Sequence, residues 1–586
     1  MIAATSNGSI APRLRLAIAA ILALALLLRL WGIRYGLPWL FYFHDEPQVV
    51  LRALRFGTGD LDPHFFIWPG TLLIVLAFVS FAGLFLAGRI AGWWAGREGF
   101  AAAYFTDPTA FYVLPRLESV AFGTWTVWLA FALGRAAYAA PVGIAAALGL
   151  AVNAMAGHYA HLAHPVTAMT AFTTLGLLAA VRLAHDGRPR DLWLGAVAAG
   201  LGMSAQYHAA LLAVPLGVAL AYRFHDAPAS QRGRWITRAL LAAVLALAVF
   251  LAVSPFTVLD YRAFLNDVAW ITLKTGGAAA GHRGVLQGLA AFTRECLRPA
   301  LGAPLGIAAI AGVVLALARR TRADVVLLAF VAAYALLAAR ATILNDRYAI
   351  PLVVPALLFT ARLAAWLFDR ARLGAPRAAW GTVIAVAALA APLALALVET
   401  DWTMTRGDTR IDALRWFEAH VPSGARVAID MQRFWNSASP PLAEDSTRLA
   451  ARLAESQAGL AGGGHSGAYA EYYRYRLAHP HTPAYDLRST DLGDSAMTLA
   501  AYRAAGVTWA VVSEEALRQQ KGRAAMGDSS GLVYYAALER EAALAATFRP
   551  ERWRRLGPEI RVYRLTPGAG RPTSGGRPAA SADSAR

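Results

Sequence analysis

Two adjacent carboxylates, Asp45 and Glu46, lie just beyond an apolar run, in the segment Phe41-Tyr-Phe-His-Asp-Glu-Pro47. A general base has to bring a carboxylate within about 3 Å of the proton it removes. At the start of a helix, neighbouring side chains project about 100° apart. One of the pair therefore faces a given substrate atom, and the other holds an arginine or a polar group of the substrate. Asp62-Pro-His-Phe-Phe-Ile-Trp-Pro69 follows, so His44, His64 and Trp68 share the loop with the acids. Trp31, Trp39 and Trp68 also suit membrane-interface anchors. Paired acids between membrane-spanning stretches point to chemistry at the membrane surface.

Three further groups are candidates. Asn153, His158, His161, His164 and Thr167 surround Ala156-Gly-His-Tyr-Ala-His-Leu-Ala-His-Pro165. Histidines three apart rotate steadily away from one another, which argues against zinc and for a polar face that meets phosphate or sugar. No cofactor is expected, and a divalent metal has only this weak support. Gln206-Tyr-His208 interrupts an apolar stretch, where polar residues suggest function or a bridge between helices. Asn345-Asp-Arg-Tyr348 heads a late apolar run. The planar fork of Arg347 suits a phosphate, the plainer reading being a boundary charge paired with Asp346. Arg116, at the opening of another span, follows the same logic.

The elements that position these groups are membrane helices. The chain has 586 residues, 57% hydrophobic and 16% charged, against about 25% charged in a soluble domain. Apolar runs at roughly 14–31, 70–92, 117–138, 142–156, 165–183, 192–222, 237–255, 301–318, 324–342, 347–367 and 377–398 predict about eleven crossings. The first run is expected to be a retained helix, since further spans follow it and no small-residue cleavage site stands out. The net charge of +18 comes from arginines at span ends and in short connectors. The positive-inside bias explains it without nucleic acid. A single cysteine, Cys296, excludes an intrachain disulfide framework.

From Glu399 the apolar runs shorten. An amphipathic helix is expected over 409–420, strands over 425–430, 506–513 and 559–565, and helices near 443–456 and 532–546. This is a small α/β domain over 399–566, after a membrane domain over 1–398 whose first loop spans 32–69. Gly-Gly-Gly-His at 462–465 reads as a connector, and the Gly/Ser/Pro-rich tail at 567–586 as disordered.

Together these features resemble the phospholipid-carrier-dependent membrane glycosyltransferases, relatives of the protein O-mannosyltransferase and aminoarabinose transferase superfamily with its GT-C fold. His44-Asp-Glu-Pro47 is similar to their first-loop acidic motif, and 62–69 to an Asn-Pro-His-Phe-Phe-x-Tyr-Pro run. Leu114-Pro-Arg116 with Gly123-Thr124 and Leu133-Gly-Arg135, Asp346-Arg-Tyr-Ala-Ile-Pro351, Asp408-Thr-Arg410 with Trp416, Pro422 and Gly424, and Gly557-Pro-Glu-Ile-Arg-Val-Tyr563 continue the likeness in order. The resemblance implies a polytopic enzyme of a bacterial inner membrane, with its active site and C-terminal domain extracytoplasmic. It implies transfer of a sugar from a polyprenyl phosphate to a lipid, glycan or protein acceptor, with inversion. Asp45 would be the base. Glu46 and His64 would position the acceptor or orient Asp45, and Arg347, Arg116 and His208 would meet the carrier phosphate. His44, Trp68, His161, His164, Gln206 and Tyr348 would line the substrate site. Two positions depart from the pattern: Val166-Thr-Ala168 where relatives carry an acid, and Gln206 where they often carry lysine. A transporter or lipid-binding scaffold, or a degenerate homologue, is the alternative.

Overall fold

The apolar runs fold as helices because backbone in lipid must satisfy its own hydrogen bonds. The computed structural model describes residues 12–39, 45–68, 70–276, 284–341, 344–430, 438–461, 467–490, 498–524 and 530–565. His44, the 462–465 connector and the tail lie outside the described residues. The chain divides into two units, Met1–Tyr35 with Asp45–Thr405, and Gly36–His44 with Arg406–Arg586.

The first unit is a polytopic α-helical bundle. It opens with α1 (Pro12–Leu30), α2 (Glu46–Phe56), α3 (Thr71–Ala91), α4 (Arg97–Thr106), α5 (Thr109–Ala137), α6 (Ala140–Ala151) and α7 (Ala154–Ala160). The middle holds α8 (Val166–Asp186), α9 (Pro189–Ala205), a 3₁₀ turn at Tyr207–Leu212, α10 (Ala213–Asp226), α11 (Ala229–Val253), α12 (Phe256–Leu259) and α13 (Tyr261–Gly276). It closes with α14 (Val285–Phe292), a π turn at Thr293–Leu297, α15 (Arg298–Arg319), α16 (Arg322–Ala339), a 3₁₀ turn at Asp346–Ala349, α17 (Ile350–Arg370) and α18 (Ala375–Met404). Among the described residues nine helical stretches are long and apolar enough to cross a membrane, or ten if the α6–α7 pair, bent by 60°, is one span. The expectation of about eleven exceeds this for two reasons. Helix α1 carries Arg13, Arg15 and Arg29, and the 142–156 run forms only the 12-residue α6, which reaches span length only together with the bent α7. The 192–222 run breaks at Gln206, leaving α9 with 17 residues.

Proline sets several helix starts, at Pro47 of α2, Pro189 of α9 and Pro351 of α17, where its missing N–H costs nothing. Helix α8 is almost wholly buried and forms the centre of the bundle. Where α5 passes α6, a Cβ added to Gly134 would lie 2.6 Å from the Gly143 Cα, so the two backbones meet directly.

The second unit is an α/β sheet domain. Helix α19 (Thr409–His420), α20 (Ser446–Ala461), α21 (Gly467–Ala478), α22 (Leu499–Ala504), α23 (Glu514–Ala524) and α24 (Ser530–Glu541) accompany a five-stranded sheet. Its strands are β1 (Arg426–Asp430), β2 (Asp486–Thr490), β3 (Trp509–Ser513), β4 (Ala543–Phe548) and β5 (Ile560–Arg564), in the order β2-β1-β3-β5-β4. Strand β1 runs parallel to β2 and β3, while β5 runs antiparallel to β3 and β4. Alternation sends Val427, Ile429, Val511 and Val562 to one face with Leu414 and Phe417 of α19. Ala428, Ala510, Val512 and Tyr563 face the other way, with Tyr502, Tyr535 and Leu538. Two strands differ from expectation. The predicted helix over 532–546 ends at Glu541, and its last residues begin β4, because the register with β5 overrides the helix propensity of Ala543-Leu-Ala-Ala. Polar β2, an edge strand with only Asp486 and Leu487 buried, carries too little alternation to be read.

At the end of β1 the buried Asp430 accepts from Thr490 Oγ1 at 2.6 Å, Ser513 N at 2.9 Å and Tyr535 Oη at 3.0 Å. Burial pushes its carboxyl up to about 6, with the three donors pulling the other way.

Candidate functional site

Asp45 stands at the N-cap of α2, where an aspartate usually accepts from the helix's own first N–H groups. Its side chain makes no such cap bond. Its Oδ2 instead lies 3.3 Å from Nη2 of Arg347 and 3.6 Å from Nε2 of His164. Val166 N donates to His164 Nδ1 at 3.1 Å, so the ring proton sits on Nε2, directed at Asp45. Glu46, one residue on, turns into the bundle. It receives Nε and Nη2 of Arg116 at 2.7 Å each, and Ala163 N at 2.9 Å. The remaining Arg116 nitrogen donates to Ile33 O and Tyr35 O.

These contacts correct one expectation. Arg116 is 1% exposed with every guanidinium nitrogen bound to protein, so it is not turned to a phosphate. Glu46 is 2% exposed and holds that arginine, as one of two neighbouring acids was expected to do.

Arg347 comes from the 3₁₀ turn that starts α17. Asp346 Oδ1 accepts from Arg347 N at 2.7 Å and from Tyr159 Oη at 2.7 Å, tying that turn to α7. Asn345 Nδ2 donates to Tyr348 Oη at 3.2 Å. The His208 ring lies 5.9 Å from Tyr348 and 6.1 Å from Tyr334. His208, Tyr348 and Arg347 thus form one sequence-distant group, with Gln206 buried at the break that follows α9. Trp68 packs against the His164 ring at 5.8 Å. His161 is not offered to substrate, since both of its ring nitrogens contact main-chain carbonyls.

The Asp62–Trp68 segment is braced from three helices. Arg52 of α2 donates to Pro63 O, Phe66 N donates to Asp267 of α13 at 2.7 Å, and Tyr207 Oη donates to Phe66 O. His64 faces Asp60 at 3.3 Å and Asp62 at 3.7 Å. Asp62, His64 and Asp260 bring ligand atoms within 4.8 Å of one another, a donor set able to hold a divalent cation. Burial and the Asp260 and Asp60 carboxylates push the Asp62 carboxyl up, against the pull of His64. This set differs from the histidine triplet that the sequence suggested, because Asp260 comes from a distant connector.

Sequence reasoning passed over Tyr159, Arg29 and Asp401. An arginine inside the first apolar run and an acid just beyond the last were the available signals.

Residues 113–258 match the family of dolichyl-phosphate-mannose-protein mannosyltransferases. No curated protein matches the chain. Among solved structures it is similar to ArnT from Cupriavidus metallidurans bound to undecaprenyl phosphate, with 13% identity and a TM-score of 0.48, covering 96% of this chain and 100% of that one. It is also similar to the oligosaccharyltransferase AglB from Archaeoglobus fulgidus, with 13% identity and a TM-score of 0.44, covering 90% and 72%. The S. cerevisiae protein O-mannosyltransferase Pmt1-Pmt2 complex matches at 16% identity and a TM-score of 0.33, covering 44% and 35%. Over residues 113–258 the chain therefore resembles the protein mannosyltransferases.

Proposed function

We propose that this protein transfers a sugar from a polyprenyl-phosphate carrier to a lipid, glycan or protein acceptor on the extracytoplasmic side of a bacterial inner membrane. The observation that carries this reading is Asp45, diverted from helix capping toward Arg347 and His164. The match to the mannosyltransferase family over 113–258 supports it.

In this reading Asp45 takes the proton of an acceptor hydroxyl or amine. The acceptor attacks the anomeric carbon with inversion as the bond from that carbon to the phosphate oxygen breaks. The phosphate leaves with the electron pair, so no second carboxylic acid is needed to protonate it. Arg347 takes up the growing negative charge, and a guanidinium with five donors can serve a carboxylate and a phosphate together. Fixed cations aimed at developing charge are commonly the largest catalytic term. His164 and Tyr348 line the path. Glu46 and Arg116 hold the start of α2 and the 161–165 loop in place.

The test is release of polyprenyl phosphate from a panel of polyprenyl-phosphate sugars, with purified protein in lipid and membrane extract as acceptor. Asp45→Asn is expected to lower turnover by about 10²–10⁴-fold. Equal behaviour of wild type and variant, with no donor consumed, would leave transport or lipid binding as the better account.

A further inference from the structure

His161 is 1% exposed, and its ring is held by two acceptors: Nδ1 lies 2.9 Å from Gly157 O and Nε2 lies 2.8 Å from Trp31 O. A carbonyl oxygen only accepts, and a neutral imidazole carries one N–H. A neutral ring would set a nitrogen lone pair against a carbonyl lone pair at one of these contacts. Only the imidazolium satisfies both.

Helix α1 ends one residue before Trp31, and His161 itself caps the C-terminus of α7. The carbonyls of Leu150 and Ala151, where α6 ends, accept from Arg29. The partial negative charge of helix C-termini favours cations at both side chains. Asp401, in the last turn of α18, places a carboxyl beside the ring. It is 0% exposed, its Oδ1 lies 3.7 Å from His161 Nε2, and neither oxygen has a hydrogen-bond partner among the described residues. The charged or titratable groups facing the ring are thus Arg29 from α1, His158 from α7 and Asp401 from α18. Burial above all, with His158 and Arg29, pulls the ring well below the usual histidine range, while the two carbonyls raise it. Against that pull, the two-acceptor geometry decides for the cation.

The loop that follows carries the contacts to both first-loop acids. Ala163 N donates to Glu46, and His164 meets Asp45. We infer that His161 is a buried imidazolium, held by Asp401 and the carbonyls of Trp31 and Gly157, and that this cation is a positioning residue setting the 161–165 loop against Asp45 and Glu46. Its effect on turnover rests on the glycosyl-transfer reading; its charge does not.

Two measurements on the full-length protein in bilayers test this. In protein labelled with ¹⁵N-histidine, the resonance missing from His161→Gln is expected at the position of a doubly protonated ring at pH 7.5. A neutral ring there overturns the inference, whether or not a donor is ever found. In the donor assay, Asp401→Asn is expected to lose turnover as pH rises, about tenfold per pH unit above an apparent pKa that the wild type lacks. The change falls on kcat more than on KM, and Asp401→Glu restores the wild-type profile. A wild-type pH profile in Asp401→Asn, in protein that still turns over, defeats the positioning role. Absence of turnover in the wild type defeats the glycosyl-transfer reading and leaves the resonance to decide the charge.

Discussion

The two units bury acids in opposite ways. In the helical unit Glu46 is matched by a guanidinium, with two parallel bonds from Arg116. In the sheet domain Asp430 accepts from neutral donors, Thr490, Tyr535 and the Ser513 amide. Both carboxyls are out of water; the first meets a guanidinium, and burial dominates the second. Desolvation penalises the charged form, and a nearby opposite charge offsets that penalty. The difference predicts which acid depends on its partner and which depends on pH.

The largest expected effect is loss of that partner. Arg116→Met leaves Glu46 buried and uncompensated, which costs about 3–5 kcal/mol. Thermal unfolding in lipid should show this as a large fall in midpoint, much of it recovered when Glu46→Gln is added. A loss no greater than that of an ordinary surface change would break the contrast.

Arg347→Lys comes next. It keeps the charge at Asp45 but gives up the planar fork, and turnover should fall by about 10–100-fold, as expected for weakened bonds to a charged group. Turnover equal to wild type would mean that a point charge suffices there.

Asp430 supplies the pH arm. Its folded pKa of about 6 lies above the usual 3.8, so the folded state binds more protons than the unfolded state between those values. Stability therefore falls as pH rises through this window, and the cost of the buried charge is fully present above pH 6. Relative to Asp430→Asn, the wild type should gain up to about 3 kcal/mol on going from pH 7 to pH 4. Hydrogen exchange in β1 and β3 would read this in the intact chain, and a difference flat with pH would refute it. The smallest effect belongs to Arg503→Ala. Arg503 meets Glu541 at 2.9 Å on the exposed surface of the sheet domain, and its loss should cost about 0.5 kcal/mol or less.

Much of the bundle was legible because lipid leaves the backbone few choices, and long apolar runs state them directly. In the 192–222 run the interruption at Gln206-Tyr-His208 was legible too, and there the polar break makes two helices of one run. Asp45 and Glu46 were legible as a pair, as was the rule that one of two neighbours would take an arginine. Which arginine was not legible. Arg116 and Arg347 both stand near a span end, and only the fold decides that one meets Glu46 and the other Asp45. Asp260 was invisible for the same reason: nothing in its connector reveals that Asp62 and His64 lie beside it. In the sheet domain β1, β3 and β5 showed their apolar alternation, while β4 is drawn from helix-favouring alanines by its partner alone.

The glycine contact between α5 and α6 carries a mechanical consequence. With no side chain between Gly134 and Gly143, the two helices have no layer that can compress, and a methyl group has nowhere to go. A bilayer that thickens or thins must then be met by tilting the pair as one rod rather than by sliding one helix along the other. Spin labels on the two helices should keep their separation from short-chain to long-chain lipid; a spacing that follows the lipid would show a sliding joint instead.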